Sequence, residues 1–172
     1  FMFNESDLNG DSEMILAICE EILRRKLRIS LTGQLRIDRR NTKEFFLRLR
    51  QAGFCMLRFG VDAWSAHTLL LQNKGYTVDM ISQNLRDCRT AGIGTEVNIV
   101  LGVPGETEED IEESIALLKA NKPHIDRVAS LNPIMLTPTS VYWQEPEKHH
   151  IQFEGDREEI YRKNPLAIPA QL

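Results

Sequence analysis

Short apolar runs alternate along the chain with stretches whose apolar residues recur every three or four positions. The first spacing predicts strands and the second amphipathic helices. Phe1-Met2-Phe3 is a strand stub, and Leu27 to Leu35, Cys55 to Val61, Val97 to Leu101 and Asp126 to Met135 are further strands. Between them, Asp11 or Ser12 opens a helix running to about Lys26, with Met14, Ile15, Ile18, Ile22 and Leu23 inward. Asn41 or Thr42 opens the next, through Gln51, with Phe45, Phe46 and Leu49 inward and Gly53 at its C-cap. Ser65 to Gln72 is a short helix, Thr77 to Thr90 a longer one, and Thr107 to Asn121 the last in the regular part. These openings place Ser, Thr, Asp or Asn where a side-chain oxygen caps free backbone N–H groups. After Thr137 the pattern breaks, and four prolines punctuate a tail with one helix near Asp156 to Lys163.

Strict β-α alternation implies right-handed crossovers and a parallel sheet. The predicted fold class is therefore α/β with five parallel strands. An open doubly wound sheet and part of a (β/α)8 barrel both fit the alternation. In either, active residues lie at the C-terminal ends of the strands.

Those ends are polar. Asn4, Glu5, Ser6 and Asp7 follow the first strand; Thr32, Gly33, Gln34 and Arg36 close the second; Gly60 and Asp62 close the third. Asn98 interrupts the apolar fourth strand before the turn Gly102-Val103-Pro104-Gly105-Glu106, and Asn132 and Pro133 lie on the fifth. Two acids, an arginine and several amides suit an amino acid's ammonium and carboxylate and a ribose. A polyphosphate instead favours glycine-rich amides and basic groups, and no Lys or Arg follows the Gly102 turn. Plainer roles also fit: loop acids for Glu5 and Asp7, an ion pair across the mouth for Arg36 and Asp62, and a simple turn for Gly102 to Gly105. His149-His150 reads as an exposed pair, since no cysteine or acid stands at ligand spacing to it. Trp64 and Trp143 read as packing residues.

Composition narrows the partners. The 172 residues carry a net charge of -4 with dispersed basic residues, which argues against a nucleic-acid partner. No apolar run reaches the roughly 18 residues of a membrane span. The three cysteines, Cys19, Cys55 and Cys88, match no CxxC-type ligand set and read as buried free thiols in a cytoplasmic protein. Opening on Phe1, as though already in a strand, the sequence reads as a piece of a longer chain.

Several stretches together resemble radical S-adenosylmethionine (SAM) enzymes, in the branch that often carries a cobalamin-binding domain. They are Phe3 to Gly10 (FNESDLNG), Gly33 to Asp38 (GQLRID), Ala52 to Ala63 (AGFCMLRFGVDA), Asn73 to Thr77 (NKGYT), Leu101 to Asp110 (LGVPGETEED) and Pro146 to Ile151 (PEKHHI). The resemblance implies a partial TIM-type (β/α)6 barrel over residues 1–151, strands two to six of the family, with residues 152–172 as a tail or the start of a following region. It implies a 4Fe–4S cluster held by a CxxxCxxC loop, which this sequence lacks, and reductive cleavage of SAM to a 5′-deoxyadenosyl radical that takes hydrogen from a small-molecule substrate. Any cobalamin would sit in another domain.

Carried over by position, the resemblance puts Glu5 near the SAM ammonium and Gln34 and Arg36 near the carboxylate. Asp62 falls near the carboxylate or ribose, Asn98 to Gly102 beside adenine, and Asn132 near adenine or ribose. Asp62-Ala63 departs from the usual Glu-Ser, shortening one acid and removing a hydroxyl. The chain by itself is expected to be inactive and, with open sheet edges, to self-associate. The alternative is a barrel that has lost its cluster and serves as a binding module.

Overall fold

A computed structural model describes residues 1–3 and 7–163. Its centre is a four-stranded parallel sheet of β1 (Leu31–Arg36), β2 (Phe54–Asp62), β3 (Gly94–Leu101) and β4 (Arg127–Pro133). The strands lie side by side in chain order. A doubly wound sheet reverses its order at a switch point; this one does not, which leaves the barrel segment.

The expected fifth strand, at the N-terminus, is reduced to a single parallel bridge between Met2 and Thr32. Phe3 donates its N–H to the Thr32 carbonyl at 2.9 Å and stacks its ring on Phe54, centroids 5.6 Å apart. The stub is thus tied beside β1, but one bridge does not make a strand. β1 also starts later than expected, at Leu31, and Leu27 is half exposed.

The helices α1 (Ser12–Arg24), α2 (Lys43–Ala52), α4 (Val78–Thr90) and α5 (Glu108–Asn121) pack neighbour to neighbour, while α3 (Ala66–Leu71) packs on α5. Each begins at a side-chain cap: Asp11, Thr42, Ser65, Thr77 and Thr107 accept from the backbone N–H three residues on. At α5 the cap is reciprocal, because Asp110 accepts the Thr107 N–H at 2.9 Å. α2 ends at Gly53, whose φ of 111° only glycine adopts easily. A Cβ there would also lie 2.2 Å from the Ile29 carbonyl oxygen.

Period-two alternation divides the sheet into two faces. Leu35, Leu57, Phe59, Val61, Val97 and Ile99 are buried in one core cluster with Ile15, Phe46, Leu49, Ile81 and Leu85 of the helices. Met14 does not join that core; it is 54% exposed. The other face carries Thr32 and Gln34 of β1, Arg58, Gly60 and Asp62 of β2, Glu96 and Asn98 of β3, and Ser130 and Asn132 of β4.

Beyond β4 the chain forms α6 (Val141–Gln144), a 3-10 turn (Pro146–His149) and α7 (Arg157–Lys163). Leu136, Trp143 and Ile151 build a second small core there, with Phe153 and Tyr161 edge-on to Trp143. Both tryptophans are packing residues, as expected: Trp64 and Trp143 are almost fully buried.

Candidate functional site

The C-terminal ends of β2, β3 and β4 open into a cavity of about 660 Å³. Asp62, Val100 and Asn132 of the strands line it, with Gln72 and Lys74 after α3 and Tyr142 and His149 from the segment beyond β4. Its size falls within the range of small-molecule sites.

Asp62 is the last residue of β2 and takes a φ of 59°. Asp tolerates this left-handed region better than most residues, and such backbone collects at functional sites. The pairing register with β3 shifts between Phe59 and Asp62, so the strand end turns out of the ladder. The turn is pinned from outside. Tyr76 donates its phenolic O–H to the Val61 carbonyl at 2.5 Å, with the Gly60 carbonyl at 3.3 Å. Burial pushes the Tyr76 phenol up, the Asp62 charge adds to this and Arg36 opposes it, so the hydroxyl stays protonated and donating. Two residues before Tyr76, Lys74 places its Nζ 2.6 Å from Asp62 Oδ2, and both side chains are about one-quarter exposed, at 25% and 29%.

The other candidate residues are dispersed. Gln34 lines a separate pocket of about 190 Å³ on the polar face, with Thr32, Arg58, Glu96 and Arg127. Arg36 is exposed and sits 3.9 Å from Asp7. The pair of Arg36 with Asp62 is therefore not formed; Asp62 pairs with Lys74 instead. Asn98 accepts from Ser130 Oγ at 3.1 Å on the inner face of β3 and β4. Gly102 has a φ of 71° and donates its N–H to Glu106 Oε2 at 2.7 Å. Glu5 lies outside the described residues. Asp62 and Asn132 are thus brought to one cavity, and Gln34 and Arg36 are not among its lining residues.

Four side chains that line the pockets were not assigned a site role from the sequence. Lys74 sat in a loop motif without an assigned partner. His149 is half-buried and packs edge-on to Tyr142 at 4.7 Å, so only His150 of the expected exposed pair is exposed. Arg58 and Glu96 form the third and fourth: Glu96 is buried, 3.1 Å from Arg58 and also bonded to Arg127. The signal for these two was their alternation in register with Gly60, Asp62 and Asn98.

An iron–sulfur cluster needs neighbouring thiolates. Burial, helped by the Glu20 charge, pushes the Cys19 thiol up to about 11, and burial likewise raises the Cys88 thiol. Both stay protonated inside α1 and α4. Cys55 is exposed rather than buried, but it lies at the start of β2, away from the mouth. Among the described residues no group of three or more His, Cys, Asp or Glu side chains is placed to hold a metal. The described residues of this chain do not fit the cluster.

A parallel barrel segment with a cavity at the strand C-termini is an α/β domain of the TIM-barrel class. Residues 1–118 match the family model of the Radical SAM superfamily, and the chain belongs to that superfamily. The anaerobic magnesium-protoporphyrin IX monomethyl ester cyclase of Cereibacter sphaeroides is 26% identical over 141 residues, which is 80% of this chain and 23% of the relative. The cyclase of the same name from Rubrivivax gelatinosus is 26% identical over 162 residues, 94% of this chain and 27% of the relative. The chain thus spans about a quarter of the length of these curated relatives. The radical SAM methyltransferase TsrM from Kitasatospora setae, solved with cobalamin and a 4Fe–4S cluster, has the same fold. Its TM-score is 0.64 at 24% identity, covering 70% of this chain and 24% of that one.

Proposed function

We propose that this chain forms the SAM-binding part of a radical SAM enzyme, with the cluster thiolates supplied from outside it. The observation that carries this is the cavity at the strand ends, whose lining includes one acid, Asp62, one ammonium, Lys74, and the strand amide Asn132, beside Gln72 and Asn73. SAM presents the complementary groups: an α-ammonium, an α-carboxylate, a ribose diol and an adenine. Asp62 suits a hydroxyl or ammonium donor, and Asn132 offers both an acceptor and donors. The Gly102 turn that follows β3 is held by Glu106. Gln34, Arg36 and Asn98 remain candidates for contacts along the inner face, as the resemblance implies.

SAM supplies, on reductive cleavage, the carbon radical with which the superfamily starts its reactions. The protein's share is to bind and orient the cofactor. The reaction that follows, whether methyl transfer, cyclisation or a related step, and any cobalamin we place outside this sheet. Among the described residues no helix is long and apolar enough to cross a membrane, and we place the protein in the cytoplasm, where free thiols persist.

The test is reductant-dependent release of 5′-deoxyadenosine from SAM by the full-length protein, reconstituted without oxygen, alongside its iron and sulfide content. Release with a bound cluster supports the proposal. A protein with neither cluster nor SAM cleavage overturns it and leaves a binding module.

A further inference from the structure

We propose that a second site, on the inner face of the sheet and away from the strand ends, binds a short-chain monocarboxylate between Arg58 and Arg127. It is the pocket of about 190 Å³ that these two arginines line with Met2, Met56 and Glu96. Arg58 precedes Asp62 by four residues on β2. At about 3.3 Å per residue the site therefore lies roughly 13 Å below the strand-end cavity. The proposal does not depend on what that cavity holds.

The charges form one row across the sheet. Gln34 pairs in register with Arg58, Arg58 with Glu96, and Glu96 with Arg127. Glu96 is buried, and both its oxygens are taken. Arg58 Nε donates to Oε2 at 3.1 Å, and Arg127 Nη2 donates to Oε1. A guanidinium has five N–H donors. Among the described residues neither arginine makes a side-chain hydrogen bond to any other group. Two guanidiniums against one carboxylate leave the row one positive charge in excess, with most of its donors unused.

That surplus selects the ligand. A planar carboxylate takes two parallel bonds from a guanidinium fork, and one negative charge balances the row. A phosphate dianion would overcompensate it and face the Glu96 carboxylate. The pocket is smaller than the roughly 300 Å³ at which drug-sized sites begin, so only a few carbons fit behind the carboxylate. The next residues down the strands make an apolar floor for them. Met56 pairs with Gly94, and a Cβ on Gly94 would lie 2.8 Å from Met56 Cε, so the thioether lies across the glycine. Met2 adds a second thioether, 73% exposed. On the other side of Arg58 stands Gly60, where even an added Cβ would come no nearer than 3.9 Å to another group, so the row stays open from above.

The experiment titrates the full-length protein with butyrate at constant ionic strength, read by saturation-transfer NMR. Butyrate should bind saturably in the millimolar range, and Arg127→Met should weaken it about tenfold. Arg127→Lys, which keeps the charge but loses the fork, should fall between. Glu96→Gln should tighten binding, because it removes the competing carboxylate. Wild-type protein without saturable binding overturns the proposal, and so does unchanged affinity in Arg127→Met when thermal melts show both proteins folded. Equal binding of 1-butanol would refute carboxylate recognition, and tighter binding of inorganic phosphate would refute the monocarboxylate class. Displacement of butyrate by SAM would refute a separate site. SAM cleavage by the wild-type protein is measured apart from all of these.

Discussion

Asp110 is 4% exposed and accepts hydrogen bonds from two elements at once. Ser65 Oγ donates to Oδ1 at 2.8 Å, His67 Nδ1 lies 2.8 Å from Oδ2, and the Thr107 N–H donates to Oδ2 at 2.9 Å. An ionised carboxylate only accepts, so Nδ1 carries the proton. Burial pushes this carboxyl up, yet the bonds from His67, Thr107 and Ser65 outweigh it and hold it at about 2. A folded-state value below the unfolded one adds stability above the unfolded value of about 3.9 and loses it as pH falls through the folded value. Asp110→Asn should therefore cost about 1–3 kcal/mol at pH 7, with the gap to wild type closing between about pH 4 and pH 2. Thermal melts across that range check it, and a gap that does not change with pH would mean that shape, not charge, holds α3 to α5. The serine, histidine and aspartate resemble a nucleophilic triad only in composition. Here both Ser65 and His67 bond to the acid, so the serine is not activated by the histidine.

At the scale of elements, the polar face of the sheet is laced by one buried acid. Glu96 on β3 meets Arg58 on β2 and Arg127 on β4, tying three strands in register. The two arginines keep 39% and 65% of their side-chain exposure, so each can be lost while the other still neutralises Glu96. Losing both leaves a buried carboxylate alone, which is costly. Arg58→Met and Arg127→Met should each cost about 1 kcal/mol or less, and the double variant should exceed their sum by about 1 kcal/mol or more. Denaturant titrations of the four proteins measure the coupling; strictly additive losses would show that the tie is not cooperative. The helices were legible at this scale because their caps are local chemistry. Thr42, Ser65, Thr77 and Thr107 each bond within three residues, which sequence order alone brings about.

For the whole molecule, the sheet among the described residues runs from the Met2 bridge at one edge to β4 at the other. Val128 and Leu131 on β4 are 46% and 59% exposed, and Met2 at the opposite edge is 73% exposed. Apolar edge strands invite pairing with another chain. We propose that the chain by itself self-associates through these edges. Light scattering at tens of micromolar should show dimers or larger species, and a monodisperse monomer would refute this.

Alternating strands and helices, their caps, the buried side of α2 and α4 and the motifs of the superfamily all depend on residues near one another in sequence. Those were readable without coordinates. The first strand was not, because three residues at an edge make a strand only if a neighbour pairs with them along their length, and here one bridge forms. The choice between barrel and doubly wound sheet also waited for the structure, since strand order is a long-range property. So did the site. Asp62 and Lys74 are twelve residues apart and meet because the α3–α4 loop folds back over the end of β2, and Asn132 joins them only because β4 lies beside β3. Sequence spacing determines which face a side chain takes, but the pairing of strands and the path of loops decide which charges share a cavity.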